Sequence, residues 1–502
     1  MSKQIRNLGV FLVLCYGALF VQVNRLTIFE ADELQDKPEN VRTIERDFSA
    51  PRGDIVSADG HVLAESVPSD DRYELRRTYP TGELFAHVTG YFAFELGDAG
   101  LEREYNGYLT GDDIGLSLDR LGDLFVDRDV VGDVILSMRH DVQQVASDQL
   151  GDREGSVVAL DPRSGEVIAM WSFPSYDPNQ LASHDFDAAE ATSDVLNADE
   201  DRPTRSRAFR ENFFPGSTFK IVTATAGIER GGVTPEGPAY PVTDSYQPPV
   251  GGQAIPNFGG ASCGGTLFEI LQRSCNTSFA QMGVDTGGDE LQDVARGFGF
   301  DRDVPFDVPD GVQSTFPERV VDDPPTLAQA AIGQNDVRAT PLQMAMIAGA
   351  VANDGDVMEP HVMREVRDDQ GNKVAEYDPE VWTTAMSPET AGTMREGMVS
   401  VVTDGTASRL DEGLDEFVVG GKTGTAQLGT DPPRSHAWII GFAGPPGEAP
   451  QVAVAVIVEG QEGASEQTGG AVAAPIAAAV MKQALTPPTR VEQQDGDTGA
   501  GG

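Results

Sequence analysis

The chain has 502 residues, and 39% of them are hydrophobic, enough for a sizeable core, so wholesale disorder is excluded. Glycine (56) and proline (32) are raised but not periodic, which excludes collagen and low-complexity sequence. Against 80 Asp and Glu stand 36 Lys and Arg, a net charge of −44, and such a surface repels phosphate backbones, so no nucleic-acid partner is expected.

Lys3 and Arg6 precede an uncharged run over residues 7–24 whose centre, 8–21, is strongly apolar. A membrane span takes about 20 residues, with a lower limit near 17. The cationic flank predicts a cytoplasmic N-terminus (1–6) followed by a transmembrane anchor (7–26). No A-x-A cleavage site follows; the chain reads Val21-Gln22-Val23-Asn24-Arg25, which favours an uncleaved anchor over a signal peptide. The expected location is therefore the cell membrane, single-pass, with everything after the anchor outside the cytoplasm.

Residues 27–150 form a first region. Asp59-Gly60 lies between the short β-rich runs 54–56 and 61–64, as in a hairpin, and nothing here has catalytic spacing, so a scaffold is expected. At Gly155 the character changes. Residues 156–160 read as a strand, 161–165 as a turn and 166–171 as the returning strand, opening a larger domain over 151–485. Near its end come two apolar strands, 436–442 and 452–458, then an alanine-rich helix, 471–485. No βαβ rhythm runs through the domain, so the fold class is α+β, an antiparallel sheet covered by helices. The tail, 486–502, is expected to be disordered.

Three short motifs carry candidate chemistry. Ser217-Thr218-Phe219-Lys220 follows the breaker Pro215-Gly216 and opens an apolar helical pattern. Residues i and i+3 share a helix face, so Lys220 reaches the Ser217 hydroxyl. Serine is a weak nucleophile unless a base takes its proton, and a lysine serves only if its ammonium is made unfavourable by burial or a neighbouring cation. Ser274-Cys275-Asn276 sits at a turn after the helical stretch 267–273. Ser274 can relay a proton, and Asn276 offers an amide donor and a carbonyl acceptor for a substrate backbone. Lys422-Thr423-Gly424, inside Gly420–Gln427 with Thr425, follows a strand lead-in at 417–419. Its lysine and hydroxyls suit a carboxylate, and Lys422 supplies the second cation that depresses Lys220. A phosphate-binding P-loop would need glycine at position 416, which is Glu416. Only six lysines occur in the chain (3, 37, 220, 373, 422 and 482), and two of them hold these positions. A rival, Gly260-Ala261-Ser262-Cys263-Gly264, matches a nucleophile elbow but lacks the buried strand that motif needs. With three cysteines, no CxxC and no HExxH, no metal site is expected.

In this order, S-x-x-K, S-x-N and K-T-G are the serine acyl-transfer signature. From the anchor to about residue 485 the chain resembles the class B penicillin-binding proteins, most like the actinobacterial penicillin-binding protein A group. Arg52-Gly53-Asp54-Ile55, Asp59-Gly60 and Gly100-Leu101-Glu102 with Tyr105 look like the family's N-terminal pedestal. Residues 158–169, Ile332-Gly333-Gln334, Ala339–Met344 and His436-Ala437-Trp438 look like its transpeptidase blocks. The resemblance implies a serine-transpeptidase fold, with an all-helical subdomain beside the sheet, on an elongated dimerisation-like pedestal (27–150). It implies a peptidoglycan D,D-transpeptidase in which Ser217 is acylated, Lys220 is the base, Ser274 relays protons and Asn276 supports Lys220. Lys422, Thr423 and Thr425 would hold the terminal carboxylate, with Gly424 also lining the substrate, and the backbone N–H groups of Ser217 and Thr425 would hold the oxyanion. The implied partners are stem peptides as D-Ala-D-Ala donor and amine acceptor, β-lactams as inhibitors, and a SEDS-type glycan polymerase in the membrane, and the implied chemistry needs neither metal nor organic cofactor. Asn335 departs from the glycine the family often has after Ile-Gly-Gln, which puts the local loop shape in question. Cys263 and Cys275, twelve apart, are either a disulfide bracing the Ser274 turn or two buried thiols; spacing does not supply the Cα separation that decides. The alternatives to the transpeptidase are a D,D-carboxypeptidase or β-lactamase on the same site, and an idle β-lactam-binding scaffold.

Overall fold

A computed structural model describes residues 3–25, 48–112, 131–430, 434–461 and 467–488. The chain divides into two compact units, residues 1–51 with 67–76, and residues 52–66 with 77–502. In the first, a helix runs Lys3–Asn24, and its Leu8, Phe11, Val13 and Leu14 side chains are each more than half exposed. Phe48 meets Tyr73 edge-on, with ring centroids 5.2 Å apart. Among the described residues no helix is long and apolar enough to cross a membrane. The expected tail lies, from residue 489, outside the described residues.

The second unit is built on a five-stranded antiparallel sheet in the order Val418–Gln427, Ser435–Gly444, Val452–Val458, Gly155–Leu160, Val167–Phe173. Its inner strands are buried along their length, which is why Val452–Val458 reads VAVAVIV without polar alternation. Helices Gly469–Leu485, His140–Leu150, Pro341–Ala352 and Pro388–Thr403 pack on it. All twelve residues of Pro341–Ala352 are buried. Its start is set by Thr340, whose hydroxyl accepts from Gln343 N (3.0 Å), with Pro341 at the first helical position. The sheet closes by pairing the domain's first strand with its last. Everything between Val167–Phe173 and Val418–Gln427 is therefore one long excursion, and its helices Lys220–Glu229, Asn276–Thr286 and Gly288–Gly297 pack together beside the sheet. The strand Val418–Gln427 stays at the sheet edge, facing that excursion.

A second sheet sets Lys373–Glu376, Met363–Asp368, Gly132–Leu136, Ile55–Val56 and Val62–Pro68 side by side. Ile55–Val56 pairs antiparallel with Val62–Pro68 and parallel with Gly132–Leu136. Strands on either side of residue 150 thus share this sheet. Under it, Arg52 Nε and Arg77 Nε each donate to the buried Glu102 carboxylate at 2.6 Å. Burial raises the Glu102 pKa, but the two guanidinium groups, Arg77 foremost, outweigh it and hold it below the ordinary value. The separated Arg52-Gly53 and Gly100-Leu101-Glu102 motifs are one ion cluster in space.

Candidate active site

Gly216–Phe219 is a 3-10 turn, and the α-helix begins only at Lys220. Ser217 therefore stands on the tight turn before the helix rather than within it. Gly216 has φ +53°, and a Cβ there would lie 2.8 Å from Thr425 O, so the sequence needs glycine where the turn crosses the edge strand. The turn is pinned on three sides. Phe213 exchanges both backbone hydrogen bonds with Ala339 at 2.9 Å, Gly216 N donates to Gly333 O (2.9 Å), and Trp438 Nε1 donates to Phe214 O (3.1 Å).

The helix Lys220–Glu229 is buried from Lys220 through Gly227. Lys220, wholly buried, donates from Nζ to Asn276 Oδ1 (2.7 Å), Ser274 O (2.8 Å) and Ser274 Oγ (3.2 Å). From the edge strand the equally buried Lys422 Nζ donates to the same Ser274 Oγ (2.8 Å) and to Thr423 O (3.0 Å). Burial, and after it the Lys422 charge, drives the Lys220 pKa well below the usual lysine range. Burial pushes Lys422 down to about 7. Ser274 holds its place between them at φ +55°, a left-handed conformation rare for a residue with a Cβ. Cys263 and Cys275 form a disulfide, Cα atoms 5.5 Å apart, directly beside that turn.

The structure brings the three motifs to one cleft of about 950 Å³, lined by Ser217, Ser274, Asn276, Thr423, Gly424 and Thr425 with the lysines beneath. Gly424 is required by close approach: a Cβ would lie 2.9 Å from Thr218 Cγ2 and from Trp438 Cβ. Thr425 is half-buried, whereas Thr423 is largely buried and its Oγ1 meets Thr406 Oγ1 at 2.7 Å. Thr406 carries no motif and sequence reading missed it. The Asn276 Nδ2 gives one of its two N–H groups to Pro256 O (3.0 Å) in the loop beside the cleft and keeps the other for a substrate backbone. Asn335, which also lines the cleft, has φ +61°. Asparagine and glycine are the residues that best tolerate this conformation, so the backbone at 335 is one that either residue can adopt. Ser262, the rival nucleophile, is exposed beside the three-residue strand Cys263–Gly265, far from the strand-to-helix elbow its motif requires.

Residues 155–482 match the penicillin binding protein transpeptidase domain, and residues 52–135 the penicillin binding protein A dimerisation domain. The chain is 37% identical over 502 residues to the peptidoglycan D,D-transpeptidase PbpA of Mycolicibacterium smegmatis, covering 97% of this chain and 99% of that one. To PbpA of Mycobacterium tuberculosis it is 35% identical over 504 residues, again 97% and 99%. The solved ceftriaxone acyl-enzyme complex of penicillin-binding protein A from M. tuberculosis superposes with a TM-score of 0.80 at 36% identity, covering 88% of this chain and all of that one.

Proposed function

The chain belongs to the penicillin-binding protein transpeptidase family, and from that premise we propose that it is a peptidoglycan D,D-transpeptidase, working through a serine acyl-enzyme and acylated by β-lactams. The observation that carries the reading is the convergence of two buried lysines on one hydroxyl beside Ser217.

A neutral lysine has two N–H groups and one lone pair. The two shorter Lys220 contacts, to Asn276 Oδ1 and Ser274 O, suit the N–H groups and leave the lone pair for the Ser217 hydroxyl. Ser217 Oγ adds to the D-Ala-D-Ala carbonyl while its proton passes to Lys220 Nζ. The oxyanion takes hydrogen bonds from the Ser217 and Thr425 backbone N–H groups. Collapse breaks the C–N bond, and a proton relayed through Ser274 leaves with the departing D-Ala nitrogen. An amine of a second stem peptide then adds to the ester, gives its proton to Lys220 and displaces Ser217 Oγ, which takes the proton back. Lys422 and Thr425, with Thr423 behind, hold the terminal carboxylate.

The domain assignment follows the same reading: a pedestal over 27–150 and a transpeptidase domain over 151–485. Residues 7–26 are the membrane anchor, supported by the apolar side chains that the helix Lys3–Asn24 leaves exposed and by the cations before it. The chain should stay with membranes through alkaline carbonate washing; release into the wash would overturn the anchor. Glycan polymerisation falls to a SEDS-type partner in the same membrane. Failure of the full chain to co-purify with such a polymerase would remove that assignment.

The test of the activity is labelling of the full chain by a fluorescent penicillin, beside Ser217→Ala. Persistent label on the parent and none on the variant supports the reading. Label that persists on the variant, or none on a parent folded by circular dichroism, overturns it, and rapid loss of label makes the protein a hydrolase instead.

A further inference from the structure

The chain has six histidines, and two of them, 79 positions apart, are stacked: His61 and His140 have ring centroids 4.1 Å apart and an interplanar angle of 20°. Beside them lies the buried carboxylate of Asp59. One ligand atom from each of the three residues falls within 4.8 Å of the others. Neither imidazole makes a side-chain hydrogen bond among the described residues. Asp59 is held rigidly. Its Oδ1 accepts from Ser57 Oγ (2.6 Å) and His140 N (2.9 Å), and its Oδ2 accepts from Asp141 N (3.2 Å), which leaves Oδ2 a free lone pair.

His61 and His140 open onto a cavity of about 960 Å³ whose wall carries Glu65, Glu83, Asp148 and Asp152 and no Lys or Arg. The field there favours a cation. Two buried polar atoms of the same wall, Thr81 Oγ1 and Trp171 Nε1, have no hydrogen-bond partner among the described residues.

We propose that Asp59, His61 and His140 bind a divalent transition-metal ion whose remaining positions are filled by water. Two imidazoles and one carboxylate are a donor set that zinc and its neighbours take, with metal–ligand bonds of about 2.0–2.2 Å. Tetrahedral bonds of that length put ligand atoms about 3.4 Å apart, and an imidazole lone pair lies in its ring plane, so binding requires the stacked rings to unstack, one turning about its side-chain bonds until both lone pairs and the Asp59 carboxylate converge on the ion. The ion ties the Asp59 turn of the second sheet to the first turn of helix His140–Leu150, which packs on the Val167–Phe173 strand of the central sheet. It closes a long loop of chain, the geometry in which a metal clip stabilises most. The site is separate from the Ser217 cleft and its role is to brace the pedestal against the transpeptidase sheet.

The test uses the full chain in detergent, stripped with a chelator and titrated with zinc chloride, reading bound zinc by mass spectrometry after gel filtration, and Tm. One zinc per chain and a raised Tm are expected. His61→Asn, and separately His140→Ala, should each raise the zinc Kd at least tenfold and abolish the Tm rise while penicillin labelling persists. Zinc retained equally by both variants would mean diffuse binding to the acidic surface, and no zinc retained by the folded parent would mean no site; either overturns the proposal.

Discussion

Lys220 and Lys422 show how one pair of residues sets the chemistry. Both ammonium groups are buried, and after desolvation the charge of Lys422 presses on Lys220. Acylation needs neutral Lys220, so its rate rises as pH climbs through the depressed Lys220 pKa. Lys422→Gln removes one of the two causes, so Lys220 holds its proton more tightly. The acid limb of penicillin acylation, measured across neutral pH, should move to higher pH, whatever happens to the plateau. An unmoved limb would mean that Lys422 does not tune the base. The same burial has a stability consequence. An unfolded lysine keeps its proton to about pH 10.4, whereas these two release theirs earlier in the fold. The unfolded chain therefore binds more protons at neutral pH, and the pair detracts least from stability as pH rises toward that value.

Among the elements, the turn carrying Ser274 is the one under most constraint. Its φ of +55° is held by flanking helices Leu267–Gln272 and Asn276–Thr286 and by the Cys263–Cys275 bond. Opening a loop of this size costs about 3 kcal/mol on the chain-entropy account. Cys275→Ser should lower the unfolding free energy by about that much, read as a fall in the denaturant midpoint, and slow penicillin acylation, because Ser274 is the hydroxyl both lysines share. An unchanged midpoint would show that the helices alone hold the turn. The motif Ile332-Gly333 has a comparable part: Gly333 O anchors Gly216 N, so this block fixes the nucleophile turn from outside the three catalytic motifs.

For the molecule as a whole, the dominating quantity is the net charge of −44. Surface carboxylates repel one another in the compact state, and salt shortens the reach of that repulsion from about 10 Å at 0.1 M to about 3 Å at 1 M. The Tm should therefore rise by several degrees across that range; a flat or falling Tm would mean that specific ion pairs such as Arg207–Glu459, lost to screening, matter more than the overall field.

The sequence by itself determined the chemistry and the local elements. Apolar runs such as 452–458 and the breaker at Pro215-Gly216 are short-range features, and the order of S-x-x-K, S-x-N and K-T-G is read along the chain without knowing which of their side chains meet. The tertiary structure decided what long-range proximity alone can supply. It placed Lys422 Nζ on Ser274 Oγ across 148 positions and paired Thr406 with Thr423. It joined Cys263 to Cys275, gave Ser274 and Asn335 their left-handed backbones, and stacked His61 on His140. Burial and neighbouring charge act through space, so a lysine's proton affinity and a histidine pair's capacity for metal are properties of the packed molecule and not of any stretch of its chain.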